Sequence, residues 1–141
     1  MAVALTRPAR SELIEMLQQA RHYAREAGLR ISYLRAKAQA LPVVAHAAAG
    51  VVIGGSLNEI GDLDTCLAEV RRTLAMDGRY LAMTLARAAT PGGRAFQQLM
   101  GVGGIAFWTP EELSRMFSRY GLWTVSRWKY GLVMFHLALP I

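Results

Sequence analysis

The order of secondary structure is decided by residues 51–85, which read VVIGGSLNEIGDLDTCLAEVRRTLAMDGRYLAMTL. The apolar run Val51–Ile53 predicts a buried strand, because it carries no polar face and ends at two glycines. Asp64–Met76 has apolar residues at helical spacing and predicts a helix. Asp77-Gly78 predicts a turn, and the alternating run Tyr80–Leu85 predicts a second strand. A strand, a helix and a strand in this order are typical of an open α/β sheet.

The flanking sequence extends this alternation in both directions. At 141 residues the chain has the length of one domain, so we predict a single domain over residues 1–141. We predict an α/β fold with helices on the faces of the sheet and a C-terminal antiparallel β-hairpin. The other predicted elements are helices at Ser11–Ala27, Thr90–Met100 and from Thr109 to Gly121, and strands at Ile31–Arg35, Trp123–Trp128 and Leu132–Leu139.

Composition excludes several classes of protein. Hydrophobic residues make up 53% and charged residues 18% of the chain, which excludes a disordered polymer. The single cysteine, Cys66, excludes an internal disulfide framework and favours a reducing, cytoplasmic compartment. The three histidines, His22, His46 and His136, lie far apart in the sequence, so we predict no metal site.

The net charge of +6 is spread along the chain. Basic residues are in excess at both ends and acidic residues in the middle, so no dense basic stripe predicts nucleic-acid binding. One basic-aromatic group lies near the C-terminus, on the predicted hairpin. It is either an ordinary exposed turn or a contact for an acidic partner or a membrane surface. Its members are Arg127, Trp128, Lys129 and Tyr130.

Two segments bear on membrane insertion and secretion. Ala38–Asn58 contains no charged residue over 21 positions, which is long enough to cross a bilayer. Because it is rich in alanine and glycine and contains Pro42, we predict a loop and a buried strand there. Arg7 and Arg10 follow the short apolar start closely, so we expect no secretory leader.

Large apolar side chains in the last third of the chain allow two interpretations. At helical spacing such residues usually form the core, but they are also typical of a lipophilic pocket. The sequence leaves both interpretations open. The residues concerned are Phe96, Met100, Phe107, Trp108, Met116 and Phe117.

Motifs in the central region carry a family resemblance. The segments 54–62, 67–74 and 77–80 read GGSLNEIGD, LAEVRRTL and DGRY. In order and spacing they resemble class I S-adenosylmethionine-dependent methyltransferases, particularly the small-molecule enzymes of ubiquinone and menaquinone biosynthesis. The family signature Glu-x-x-Arg-x-Leu matches Glu69, Arg72 and Leu74. The resemblance implies a Rossmann-like sheet and S-adenosylmethionine as the family's cofactor.

The departures from the family pattern concern the cofactor site. The family's first strand and glycine-rich loop have no counterpart, so the resemblance covers only the C-terminal part of such a domain. The family's acidic positions fall on Ser11, Lys37 and Ala49. A lysine cannot accept a hydrogen bond from the adenine amino group, and its charge repels the sulfonium. The resemblance therefore implies that the isolated chain binds no cofactor.

Two functions follow from the resemblance as alternatives. The first is a degenerate methyltransferase that serves as a non-catalytic subunit of a larger complex. The second is an active small-molecule methyltransferase whose cofactor-binding half lies on another chain or outside this sequence. The loop Gly54, Gly55, Ser56 is retained, and in the second case Asn58 and Glu59 would face the substrate. The alternative for both residues is a structural loop that caps the helix starting near Asp64.

The strand Val51–Ile53 predicts a partner. In the family the first strand pairs with it, and an apolar strand with a free edge is an aggregation hazard that proteins usually cover. We expect the cover to be a different protein, a second copy, or a short strand formed by Ala2–Leu5.

Overall fold

The structure, a computed structural model, describes residues 2–4 and 10–141, and it describes side chains from residue 14 onward. The chain divides into two compact units, residues 1–37 and 38–141. The single domain inferred from chain length stays a prediction.

The first unit contains one helix and a two-stranded parallel sheet. Its elements are β1 (Ala2–Ala4), α1 (Arg10–Glu26) and β2 (Tyr33–Arg35). β1 pairs with β2, from Ala2 opposite Tyr33 to Ala4 opposite Arg35. Tyr33 fixes β2 to the helix, since its hydroxyl donates to the Ala20 carbonyl at 2.8 Å and Arg21 lies over its ring. The N-terminal strand that was expected to cover Val51–Ile53 forms at Ala2–Ala4, but it pairs with β2 in a sheet of its own, and Leu5 lies outside the described residues.

The second unit is a four-stranded sheet with helices. Its strands are β3 (Ala48–Gly54), β4 (Leu74–Leu85), β5 (Leu122–Tyr130) and β6 (Val133–Pro140), and its helices are α2 (Leu63–Thr73), α3 (Pro91–Val102) and α4 (Pro110–Arg119). The strand order is β3-β4-β6-β5. β3 and β4 are parallel, whereas β6 is antiparallel to both β4 and β5. The predicted α/β class with a C-terminal antiparallel hairpin is confirmed.

The core of this unit lies on one face of the sheet. Tyr80 of β4 and His136 of β6 are fully buried there, and Phe117 of α4 covers both. The Phe117 ring centroid lies 5.1 Å from that of Tyr80 and 5.7 Å from that of His136. α4 begins with a capping box in which Thr109 and Glu112 bond each other's backbone N–H groups. The cap fixes the start of the helix that carries Phe117 over the sheet.

The junction between α2 and β4 differs from its prediction. α2 ends at Thr73 and β4 begins at Leu74, whereas the sequence predicted helix to Met76 and a turn at Asp77-Gly78. The extended Leu74 buries its side chain completely, which ends the helix early. The predicted turn is a local irregularity inside β4, because the pairing with β3 shifts register between Ala48 and Gly50.

Residue 78 must be glycine at this irregularity, because there is no space for a side chain. A Cβ atom at residue 78 would lie 2.7 Å from Cδ1 of Leu74 and 2.9 Å from the Ala75 carbonyl oxygen. Such contacts are shorter than real Cβ atoms make, so any other residue forces the backbone to move. The uncharged segment at 38–58 forms loops and β3, and none of the helices that the structure describes is long and apolar enough to cross a bilayer.

Candidate functional site

The carboxyl ends of the parallel strands β3 and β4 form the candidate site, since ligands of open α/β sheets bind beyond these ends. β3 ends at Gly54, and the N–H of Gly55 donates to the Met83 carbonyl of β4 at 3.1 Å. Gly55 has a φ of +79°, a backbone conformation that residues other than glycine adopt only with strain. Ser56 then starts a single 3₁₀ turn over Leu57–Glu59. The loop predicted from Gly54, Gly55 and Ser56 therefore lies at the end of the sheet.

Asn58 bridges this loop to two other segments. Its side-chain nitrogen donates to the carbonyls of Leu85, at 3.0 Å, and Ala106, and its side-chain oxygen accepts from the Leu85 N–H at 2.8 Å. The Asn58 carbonyl also accepts from the Ala106 N–H at 2.8 Å. The side chain is buried, so backbone groups occupy the amide that the sequence analysis placed against a substrate. Asn58 acts as a positioning residue here, and its contact with a substrate stays a prediction.

Glu59 differs from its neighbour in exposure. It lies in the same 3₁₀ turn, but its side chain is exposed to solvent. Within the described part of the chain, no hydrogen bond or ion pair engages its carboxylate. It is therefore available to a ligand at the carboxyl end of β3, and its catalytic role stays a prediction.

A second buried amide, on Gln97 of α3, was missed by the sequence analysis. Its side-chain nitrogen donates to the Ala86 carbonyl at 2.9 Å, and its oxygen accepts from the Ala88 N–H at 2.8 Å. Asn58, which precedes this segment in the sequence, and Gln97, which follows it, thus both bind the backbone of residues 85–88. Glutamine is common on solvated helix faces, so no local signal in the sequence indicates this use.

Arg87 is fixed beside these two amides. Its guanidinium donates to Glu112 at 2.9 Å and to the Phe107 carbonyl at 3.1 Å. The backbone N–H of Thr109 and, to a lesser extent, Arg87 hold the pKa of the Glu112 carboxyl below its usual range. A cleft of about 210 Å³ opens next to this pair, lined by Arg87, Arg94, Gln97, Gln98 and Phe107.

The positions matched to the family's acidic residues lie in both units. Ser11 lies in α1, and its side chain is outside the described residues. Lys37 is exposed at the end of the first unit. Ala49 lies inside β3 and not before it, because the strand starts three residues earlier than Val51. The assignments to a cofactor site stay predictions.

Glu69 and Arg72, two residues of the family signature, form a fork that binds the loop before β3. Arg72 donates to both carboxylate oxygens of Glu69, at 2.6 and 2.8 Å, and to the carbonyls of Leu41 and Val43. Glu69 accepts from the Leu41 N–H at 2.9 Å. Because Arg72 bonds its charged form, the pKa of Glu69 is lowered. The signature is structural here: it holds a loop onto α2.

The predicted basic-aromatic turn is part of β5, which extends to Tyr130. Since side chains alternate along a strand, its aromatic and basic residues point to opposite faces of the sheet. Arg127 pairs with Glu111 at 3.0 Å, and Trp128 stacks on Phe135 with ring centroids 5.3 Å apart. The four residues therefore do not form one combined tip.

The remaining candidate residues separate into core and surface. Burial raises the pKa of the Cys66 thiol to about 11, so the thiolate is rare at neutral pH. Phe117 is core, whereas Phe96 is exposed on α3. The other four large apolar residues of that group are half-buried, and Trp108 and Met116 line one cleft whereas Phe107 lines another.

The burial of His136 predicts that the stability of the fold depends on pH. Its Nε2 donates to the Pro110 carbonyl at 3.2 Å, and burial lowers its pKa from the usual 6.5. Below pH 6.5 the unfolded chain takes up a proton that the folded chain refuses, so the free energy of unfolding should fall as the pH decreases. One proton gives a slope of at most about 1.4 kcal/mol per pH unit.

Urea denaturation at a series of pH values between neutral and mildly acidic measures this slope. His136→Asn should flatten it, because the variant has no imidazole to titrate at this position. An equal slope in the His136 variant would contradict the assignment.

Comparison with known proteins supports the sequence resemblance. The sequence model of the ubiE/COQ5 methyltransferase family matches residues 12–102. No curated protein sequence matches the chain. Among solved structures, the chain is similar to the YcgJ protein of Bacillus subtilis, with 19% identity, coverage of 91% of this chain and 56% of that one, and a TM-score of 0.70.

Two further structures carry information about ligands and partners in their own descriptions. One is a geranyl diphosphate methyltransferase in complex with S-adenosylmethionine, with 15% identity, coverage of 99% and 68%, and a TM-score of 0.75. The other is a complex between the Haloferax volcanii Trm112 methyltransferase activator and a methyltransferase, with 14% identity, coverage of 98% and 71%, and a TM-score of 0.75. The chain thus spans between 56% and 71% of the length of these three structures. On the family match, which extends over more than half of its residues, the chain belongs to the ubiE/COQ5 methyltransferase family.

Proposed function

We propose that this protein is a non-catalytic, methyltransferase-like subunit of a larger complex and that it binds no S-adenosylmethionine by itself. The observation that carries the proposal is the state of β3. Among the described strands β3 pairs only with β4, and Val52 in its middle is 70% exposed. An apolar parallel strand is usually paired on both sides, so its free edge needs a partner.

Residues of the cofactor region add support. Lys37, at the position matched to adenine recognition, is exposed and cationic. The amide of Asn58 is engaged by backbone groups and would break those bonds to reach a ligand. Missing hydrogen-bond partners each weaken the binding of a polar ligand by roughly 1–3 kcal/mol.

A free β3 edge suits an added strand that runs along Val51–Ile53. We infer that a different protein or a second copy of this chain pairs here. The occupant of the edge completes the sheet that the family resemblance implies.

Isothermal titration of the isolated chain with S-adenosylmethionine tests the absence of a working cofactor site. We expect no measurable heat of binding, and native mass spectrometry should show the chain in an assembly with a partner. Micromolar binding by the isolated chain would overturn the non-catalytic proposal. A purely monomeric particle would overturn the partner at β3.

The second candidate is a small-molecule methyltransferase whose cofactor-binding half lies on another chain or outside this sequence. It is favoured by the exposed Glu59, which lies beside the retained Gly54, Gly55 and Ser56 loop. In the assembled complex, Glu59→Gln should then abolish methyl transfer, while exposed Glu111→Gln should not. Equal activity in both variants would remove Glu59 as an acid–base residue.

For location, we propose a cytoplasmic protein, supported by a single cysteine that is buried and unpaired. We also propose a peripheral contact with a membrane surface through Arg127, Trp128, Lys129 and Tyr130. The pairing of Arg127 with Glu111 already uses one of the two cations.

A further inference from the structure

The sheet of the second unit has a second face, opposite the one that carries Tyr80 and His136. Over residues 80–85 of β4 and 133–138 of β6, side chains on the core face are at most 1% exposed, whereas those on the opposite face are only half-buried. β3 repeats the contrast, because Val52 lies on the opposite face and is 70% exposed. We call the large apolar side chains of that face the outer sheet face. They are Val52, Leu81, Met83, Trp128, Phe135 and Leu137.

The outer sheet face is one continuous apolar surface. The pairing register arranges its six side chains in two neighbouring rows that cross the strands, Val52-Leu81-Leu137 and Met83-Phe135-Trp128. An open α/β sheet buries both of its faces under further layers of structure. In the described part of the chain, none of these six side chains is fully buried. The outer sheet face therefore lacks a complete covering layer.

The dimensions of the outer sheet face suit a helix. Four strands about 4.8 Å apart make the face roughly 15 Å wide, and residues 79–85 make it about 20 Å long. A helix with its side chains is about 10–12 Å across and rises about 5.4 Å per turn. One amphipathic helix of three to four turns therefore covers both rows.

Arg79 carries the one charge among the paired strand positions that the structure describes on this side of the sheet. It lies opposite Gly50 and is exposed. Asp77, the nearest acidic residue in the sequence, forms no ion pair with it in the described part of the chain. If two copies of this chain packed these faces together, each would offer a cation and no carboxylate. Charge complementarity therefore favours a different protein that supplies an acidic residue.

We propose that an amphipathic helix of a different protein packs on the outer sheet face, with its apolar stripe against the two rows and a carboxylate beside Arg79. The inference rests on the proposed function and extends it, since it gives the partner of the complex a second contact. This contact is continuous with the free edge of β3, because Val52 belongs to both. Apolar burial provides most of the binding, and the ion pair fixes the direction of the helix.

Photo-crosslinking in the native complex tests the proposal. The full chain is expressed with an affinity tag in its own cells, with p-benzoylphenylalanine at residue 52 or at residue 128. These two positions lie three strands apart, so a strand added at the edge of β3 reaches only the first of them. We expect both positions to crosslink to one helical segment of the same different protein, and that segment to contain an acidic residue. The matched control is position 44, where Val44 is 77% exposed in the loop before β3, and it should give no crosslink to that segment.

The outcomes separate this proposal from the proposed function. An assembly in which residue 128 gives no crosslink would overturn the covering helix and leave a partner at the β3 edge. A crosslink from residue 128 to any peptide of this chain would overturn the different protein. A purely monomeric particle in native mass spectrometry would overturn the proposed complex itself.

Charge exchange at Arg79 tests the carboxylate. With the partner that the crosslink identifies, Arg79→Glu should weaken binding to the full chain about tenfold or more, and lysine in place of the facing carboxylate should restore it. Arg94→Glu, at an exposed arginine of α3, is the matched control and should bind as the unchanged chain does. Circular dichroism verifies that both variants fold, which we expect because both side chains are exposed. Equal binding by the two variants would overturn the proposal.

Discussion

Replacing Asn58 by alanine should lower the free energy of unfolding by about 3–5 kcal/mol. The change removes three side-chain hydrogen bonds, to the Leu85 carbonyl, the Leu85 N–H and the Ala106 carbonyl. These groups become unsatisfied in a buried place, and each buried polar group without a partner adds to the loss. Urea denaturation followed by circular dichroism measures the effect.

Two further variants make this test specific. Glu59→Ala, in the same turn but exposed, should change the free energy of unfolding by less than about 0.5 kcal/mol. Asn58→Asp should be at least as harmful as the alanine variant, because a carboxylate cannot donate to the two carbonyls. If Asn58→Ala lost under about 1 kcal/mol, the bridging role of Asn58 would be wrong.

The second large effect is expected at Arg72. Arg72→Ala should lower the free energy of unfolding by about 2–3 kcal/mol and increase hydrogen exchange over residues 41–46. The variant loses the fork to Glu69 and the bonds to the carbonyls of Leu41 and Val43. The arginine side chain is 39% exposed, so solvent screens its charge and most of the effect comes from the backbone bonds.

Conservative substitutions separate geometry from charge at this position. Arg72→Lys keeps the charge but not the planar fork, so it should recover less than half of the loss. Arg79→Ala, an exposed arginine on β4, should be nearly neutral. Unchanged hydrogen exchange over 41–46 in Arg72→Ala would contradict the loop-holding role.

The order of elements was predictable from sequence because local signals agree with the packing. The apolar run at Val51–Ile53, the helical spacing in α2 and the capping box at Thr109 each give one answer alone. The end of α2 was not predictable, because the extended Leu74 begins β4 and pairs with Ala48 of β3, before the Asp77-Gly78 signal. Tertiary packing overrode a local turn preference there.

The candidate site was predictable in place but not in detail. The two glycines were predicted to end the strand, and Gly54 is the last residue of β3 while Gly55 has a positive φ. The partners of Asn58 lie 27 and 48 residues away, and no short-range pattern encodes them. The burial of Gln97 was not predicted, because α3 exposes its apolar residues. The periodicity of the helix would instead predict that the apolar side is buried and that Gln97 is exposed.

The fork between Glu69 and Arg72 bears on how family members are recognised. Its hydrogen bonds hold the loop before β3 onto α2, so the motif has a folding role in this structure. A family member that does not catalyse methyl transfer still needs that loop in place, and would keep Glu69 and Arg72. Family membership, as indicated by this signature, and methyl transfer, as measured in an assay, are therefore separate properties. The signature does not predict the activity.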